Sequence, residues 1–284
     1  MKLLIFGKYG QLSEELQRAV PASWDVIALS SSECDVTDHK AVTQQIEFVR
    51  PDAVINCAAY TAVDRAEEER SKADAVNWLA VENMARVAAR NDVTLIHIST
   101  DYVFDGTKHK PYNENDSTAP INYYGASKLR GEKAFRESGC RGVIIRVQWL
   151  YSPYGKNFMR TMLRIAEQQA EVRVVADQYG APTAADDLAA MIVKILPEVV
   201  ADRKLRGEIF HFASAGRATW SDFAEEIFRV AKCGCRVIPI TTAEYPTAAK
   251  RPANSLFDCS KICHRFGIQL PDWREAVKRN IKKL

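Results

Sequence analysis

The sequence predicts an α/β protein built on a doubly wound parallel sheet, with a smaller α/β lobe at its C-terminal end. Three observations carry this prediction. Short apolar runs rich in β-branched residues alternate with helical periodicity through the first half, those runs hold almost no charge, and the pattern changes after about Tyr151. Strands that are apolar on both faces belong in a parallel sheet covered by helices. Regular alternation of strand and helix is the doubly wound pattern.

The expected strands are residues 2–6, 26–29, 53–56, 94–99 and 142–147, and the expected helices between them are 12–20, 40–49, 67–89 and 124–137. In the third helix Ala75, Val76, Leu79, Val81, Met84, Ala85 and Ala88 recur at helical spacing. Beyond Tyr151 a helix at 157–169 and a strand at 172–175 lead into the turn Asp177-Gln178-Tyr179-Gly180-Ala181-Pro182. A helix at 185–195, a strand at 209–213 and a helix at 221–232 follow, and 273–283 closes the chain. No repeat or low-complexity linker separates the halves. The expected division is 1–150 and 151–284, with segments at about 172–213 returning to the main sheet.

Lys and Arg number 39 against 36 Asp and Glu, a net charge of +3 with no basic stripe, which argues against nucleic acid as a partner. No apolar run reaches the ~18 residues a membrane helix needs, and no charged leader precedes Lys2-Leu3-Leu4-Ile5-Phe6-Gly7. The 7 cysteines are odd in number and scattered, which predicts free thiols and a cytoplasmic location. Neither Cys233-Gly234-Cys235 nor Cys259 with Cys263-His264 has the spacing of a zinc knuckle.

Gly7-Lys8-Tyr9-Gly10-Gln11-Leu12-Ser13 follows the first expected strand and opens the first helix. Glycines there let backbone approach a pyrophosphate lying on the helix N-terminus, which makes the sheet Rossmann-like and residues 1–150 a dinucleotide-binding domain. Gly7 to Leu12 are therefore expected at the cofactor. The second strand ends in Ser30-Ser31-Ser32, with no acid before Glu33. Hydroxyls accept a 2′-phosphate that a carboxylate would repel, so Ser30 and Lys8 point to NADPH, with NADH open. Asp35 and Val36 are expected near the adenine, and the small residues Ala58 and Ala59, with Tyr60, near the dinucleotide.

Tyr124-Gly125-Ala126-Ser127-Lys128 opens a helix, so Tyr124 and Lys128 lie one turn apart on one face. A phenol with pKa ~10 is a sluggish acid at neutral pH, and a neighbouring ammonium lowers it. Carbonyl reduction needs a proton for the developing alkoxide as hydride arrives. Thr100, at the end of the fourth strand, is placed to hold the same oxygen. Thr100, Tyr124 and Lys128 are the expected catalytic trio.

Together with further motifs these residues resemble the extended short-chain dehydrogenase/reductase family, and within it the dTDP-4-dehydrorhamnose reductases. The likeness runs through Ser99–Gly106 of the strand end, Asn56 to Glu67, Pro111-Tyr112 with Glu114, Arg146, Trp149-Leu150-Tyr151, Gly155–Phe158, Asp177-Gln178, and Arg251-Pro252. The resemblance implies reduction of the C4 ketone of a dTDP-linked 4-keto-6-deoxy sugar to dTDP-L-rhamnose, with Lys128 also holding the cofactor ribose. It implies that Trp149, Asn157 and Arg251 face the sugar nucleotide, with Val103 and Phe104 on the same side, and that residues 151–284 form the substrate lobe. Homodimers are common in the family and magnesium is associated with some members. Ser13, Tyr9 and Gln148 depart from the family's usual residues. Two other readings stay open: an epimerase or dehydratase that retains NAD, and a non-catalytic regulatory subunit on the same fold.

Overall fold

The computed structural model describes residues 1–284. Its centre is a six-stranded parallel sheet in which β1 (Lys2–Phe6) lies between β2 (Asp25–Leu29) and β3 (Ala53–Asn56). Outward from β3 follow β4 (Thr94–Thr100), β5 (Gly142–Val147) and, at the edge, Arg206–Phe212. From β1 the chain winds one way to β2 and the other way to β3. A crevice opens at that switch, outside the C-terminal ends of the strands.

The period of two along each strand feeds two cores. Leu3, Ile5, Ile55, Ile96, Val143 and Ile145 face one side, against Leu12 and Leu16 of the Gln11–Ala19 helix and Leu188, Ile192 and Ile195 of the Ala185–Ala201 helix. Leu4, Phe6, Val54, Leu95 and Ile144 face the other, against the His39–Val49 and Ala80–Arg90 helices. No helix is long and apolar enough to cross a membrane.

The segment expected as one helix at 67–89 is instead a broken run. A short 3₁₀ turn at Arg65–Glu67 leads to an α-helix at Arg70–Asp74, a π turn at Ala75–Leu79 and an α-helix at Ala80–Arg90. Asn77 explains the widened turn: its amide donates to the Tyr60 carbonyl and the Ser127 hydroxyl at 3.0 Å each and accepts from the Tyr60 amide at 2.9 Å. Tertiary partners claim the side chain that a regular helix would leave idle.

In the second half, the Ala185–Ala201 helix and Arg206–Phe212 do join the main sheet, but Glu171–Val175 does not. It pairs in parallel with Arg236–Ile240, a strand the sequence did not suggest because Pro239 interrupts its pattern. The Ala185–Ala201 helix also runs past its expected end at 195, through Pro197, because Leu196 and Val199 are buried against the sheet. The smaller lobe has its own core around Tyr151, Met159, Phe223, Ile227 and Trp273.

One buried ion pair ties the Tyr123–Glu137 helix to the sheet. Arg146 on β5 donates to Glu132 through Nε at 2.9 Å and a terminal nitrogen at 2.6 Å, and both side chains are 2% exposed. Glu132→Ala strands the guanidinium in the core, which costs about 3–5 kcal/mol. The urea midpoint should fall accordingly, whereas replacing Glu132 and Arg146 together by Met should cost less than either single change.

Candidate active site

The site is assembled at the C-terminal ends of β1, β3 and β4. Gly7 leaves β1 with φ +91°, and its amide and that of Lys8 donate to the Leu29 carbonyl at 2.9 and 3.0 Å. A Cβ at Gly7 would lie 2.9 Å from the Ala58 amide nitrogen, so only glycine passes here. The Gln11–Ala19 helix then begins at Gly10 without a side-chain cap, leaving its first amides to an outside acceptor.

The Tyr123–Glu137 helix is capped by Asn122, whose Oδ1 accepts from the Gly125 amide at 2.8 Å and whose Nδ2 donates to the Lys250 carbonyl at 2.9 Å. Gly125 presses on the Tyr102 carbonyl so closely that a methyl group would overlap it. This contact sets Tyr124 beside the end of β4, edge-on to Tyr102 with ring centroids 5.8 Å apart.

Burial raises the Tyr124 phenol well above its ordinary value, with the Thr100 hydroxyl acting against it and the Asp101 carboxyl in the same direction. Lys128, expected to lower it, donates instead to the Ile98 carbonyl at 2.6 Å and meets His97 Nε2 at 3.3 Å. Burial pulls its ammonium down to about 8, against the pull of Glu132. His97 is buried and kept neutral by that burial and by Lys128. Its Nδ1 meets the Asn56 amide at 3.2 Å, and Asn56 Oδ1 accepts from Ala58 N at 3.1 Å. A continuous polar path therefore links Lys128 to the strand end beneath the glycine loop.

A cleft of about 610 Å³ runs across these elements. Of the residues expected at the cofactor, Tyr9, Gly10, Gln11, Leu12, Ala58 and Ala59 line it, as do Thr100, Tyr124 and Lys128. Trp149 and Asn157 form its far side. Trp149 has φ 46° and stacks on Trp220, with centroids 3.7 Å apart and rings 11° from parallel. Asn157 caps the Phe158–Ala166 helix and donates to Gln11 Oε1 at 2.9 Å, which joins the second half to the glycine loop.

Other expected residues lie elsewhere. Val103 and Phe104 are core residues, Phe104 stacked on Tyr112 with centroids 4.3 Å apart, and they do not line the cleft. Arg251 is also off the cleft wall, and both terminal nitrogens are held by Asp64 at 2.6 and 2.7 Å. Tyr60 is turned away, its hydroxyl on Glu69 at 2.7 Å. Val36 is buried, while Asp35 closes a local turn by accepting from Thr37. Lys8 and Ser30 meet each other through Glu33. Ser13 is fully buried and Gln148 ties Ala181 to Ser255, so two of the three departures serve packing.

The family model described as the RmlD substrate binding domain matches residues 1–284. The chain belongs to this family. This RmlD-family chain is 42% identical over 285 residues to the dTDP-4-dehydrorhamnose reductase of Sinorhizobium fredii, covering 98% of this chain and 96% of the relative. It is 39% identical over 294 residues to the Escherichia coli dTDP-4-dehydrorhamnose reductase, covering 100% and 98%. The crystal structure of dTDP-4-dehydrorhamnose reductase from Bacillus anthracis in complex with NADP matches with a TM-score of 0.94 at 35% identity, covering 100% of this chain and 99% of that one.

Magnesium finds no support in this family member. No three His, Cys, Asp or Glu side chains converge into a metal site. Glu15 and Asp186 share Lys283, and Arg279 pairs with Asp186 and Asp187, so cations of the chain already occupy that acidic cluster.

Sequence reasoning missed Trp220, His97 and Asp101. Asp101 is 3% exposed and lines the cleft; its Oδ1 accepts from the Thr100 hydroxyl at 3.0 Å and its Oδ2 has no hydrogen-bond partner. Burial pushes its carboxyl up to about 7, against the Ser255 and Thr100 hydroxyls. Its signal was the adjacency to Thr100 alone. An unfolded Asp titrates near ~3.9, so from there to about 7 the folded chain holds a proton that the unfolded chain releases. Stability therefore falls as pH rises through that window, by about 1.4 kcal/mol per pH unit at most, and is flat above it. Asp101→Asn should lose this component, so melting temperatures measured from pH 4 to pH 8 should decline less steeply than those of the parent. Equal slopes would show that the buried carboxyl is ionised in the folded chain.

Proposed function

We propose that this chain reduces the C4 ketone of dTDP-6-deoxy-L-lyxo-4-hexulose to dTDP-L-rhamnose, using NADPH and accepting NADH. The observation that carries the proposal is the convergence of Thr100, Tyr124 and Lys128 in the cleft that opens from the glycine loop. Full-length identity to reductases of that name supports the substrate, and the NADP complex of the Bacillus anthracis relative supports the phosphorylated cofactor. In this reading residues 1–150 hold the cofactor and 151–284 the sugar nucleotide, with Arg206–Phe212 and the Ala185–Ala201 helix lent back to the first unit.

The residues present fit a dinucleotide. Gly7 leaves no Cβ in the cradle, and the uncapped start of the Gln11–Ala19 helix offers amides to a pyrophosphate. The bound nicotinamide supplies hydride to the ketone carbon. Tyr124 supplies the proton: the phenol is protonated at working pH, and the burial that raises its pKa makes it release that proton only as charge develops on the ketone oxygen. Thr100 holds the carbonyl oxygen as charge develops there. Lys128, buried and anchored on Ile98, is positioned for the ribose and for the phenolate left by proton transfer. The stacked Trp149 and Trp220 offer an apolar face to the sugar or base.

The direct experiment mixes the protein with dTDP-4-keto-6-deoxyglucose, a 3,5-epimerase and each reduced nicotinamide. Nicotinamide absorbance should fall and NMR should identify dTDP-L-rhamnose. A 6-deoxy-talose product would place the ketone by its other face, and cofactor co-purifying without net turnover would indicate an epimerase or dehydratase. Tyr124→Phe should keep ligand binding and lose roughly 10²–10⁴-fold in kcat. Thr100→Val should lose about tenfold or somewhat more, while Lys128→Met should weaken cofactor binding as well. Turnover of Tyr124→Phe within about threefold of the parent would exclude the phenol as proton donor. Trp149→Ala should raise KM for the sugar nucleotide and leave the cofactor Kd unchanged; unfolding or cofactor loss would make Trp149 a packing residue.

A further inference from the structure

Lys8 and Ser30 are the two groups whose chemistry suits a 2′-phosphate, and both are already engaged by one side chain. Glu33 Oε2 accepts from the Ser30 amide at 2.9 Å and from the Ser30 hydroxyl at 2.7 Å. Its Oε1 lies 3.3 Å from the Lys8 ammonium. The arrangement follows from the backbone: the Gly7 and Lys8 amides are both pinned to the Leu29 carbonyl, which puts Lys8 over the end of β2, and a tight turn folds Glu33 back onto Ser30. The Ser30 amide and hydroxyl, with Lys8, hold the Glu33 carboxyl down to about 2, so it is an anion at any working pH.

We infer that Glu33 selects between the two nicotinamide cofactors, competing with a 2′-phosphate for Lys8 and Ser30 and accepting the ribose 2′-hydroxyl when that phosphate is absent. An acid at the end of the second strand normally does both, bonding the free hydroxyl and repelling the phosphate. Here the strand ends in serines, and the acid reaches the same place from further along the turn. The phosphorylated cofactor must displace Glu33 and then gains Lys8 and Ser30. The unphosphorylated one finds an acceptor in place. This assigns the chain a dual specificity whose balance one exposed carboxylate controls.

The inference rests on the proposed reading of the glycine loop as the cofactor site, and the test separates the two. Calorimetric Kd values for NADP+, NAD+ and adenosine 2′,5′-bisphosphate are measured on the intact protein, on Glu33→Ala, Glu33→Gln and Lys8→Ala, and on the double variant Lys8→Ala/Glu33→Ala. Glu33→Ala should tighten NADP+ and the bisphosphate by roughly tenfold and weaken NAD+, because a repelling charge leaves and two donors are freed. Glu33→Gln should shift the NADP+/NAD+ affinity ratio in the same direction by a smaller factor. Adding Lys8→Ala should cancel most of the gain. A ratio that stays within about twofold of the parent in both Glu33 variants, or a gain that survives loss of Lys8, overturns the inference while leaving the cofactor site intact. Failure of the unmodified protein to bind either dinucleotide overturns the site itself. Melting temperatures of the variants exclude unfolding as the cause.

Discussion

The Glu132 carboxylate takes two hydrogen bonds from the Arg146 guanidinium and one from the Ser99 hydroxyl, all inside the protein. Burying such a pair is costly unless geometry and hydrogen bonding are complete, so it tolerates little sliding of the Tyr123–Glu137 helix along the sheet. Two glycines make the same demand. Gly125 rests on the Tyr102 carbonyl and Gly131 on that of Asn77, and neither position has room for a methyl group. A helix advances about 1.5 Å per residue, so a slip of one residue would carry Tyr124 out of reach of Thr100. The position of the Tyr124 phenol is thus a consequence of packing two turns away.

Charge in the cleft follows from the same burial. Lys128 is 1% exposed, and the carbonyl of Ile98 and the ring of His97 replace the water it has lost. Because His97 stays neutral, its ring carries a polar contact onward to Asn56 without adding a second cation beside Lys128. Asn56 then fixes the Ala58 amide against which Gly7 packs. Lys128 is therefore held by β4 and linked through Asn56 of β3 to the backbone on which the glycine loop packs. Burial also holds the proton on the Tyr124 phenol, a pull that the Asp101 carboxyl reinforces and the Thr100 hydroxyl opposes.

The sequence made legible what depends on local pattern. All five strands of the first half were readable because parallel strands are apolar throughout, and the glycine loop and Tyr124 with Lys128 were readable because spacing along one element places them. What was hidden depends on partners far along the chain. The π turn at Ala75–Leu79 answers to Ser127, 50 residues away, and carries no glycine or proline to announce it. Val103 and Phe104 belong to a motif beside Thr100, yet Tyr112 and Phe257 draw them into the core. Arg251 reads as a free guanidinium until Asp64, 187 residues away, is seen to take both of its terminal nitrogens. Arg236–Ile240 escaped because its proline suits an edge strand and spoils the pattern of a central one.

Asn157 shows how one residue can belong to two readings. Its Oδ1 caps the Phe158–Ala166 helix by accepting from the Arg160 amide at 3.1 Å, and its Nδ2 donates to Gln11 Oε1 and to the Ser152 and Tyr154 carbonyls. With its amide so committed, its side chain serves chiefly to hold Gln11, a member of the glycine loop. Ser152 reaches the same Gln11 oxygen at 3.3 Å. The two halves of the chain thus meet at the side chain of the first residue of the Gln11–Ala19 helix, where a pyrophosphate would lie. That shared joint ties the glycine loop to the segment from Trp149 to the Phe158–Ala166 helix, so two walls of the cleft are held by one hydrogen-bond network.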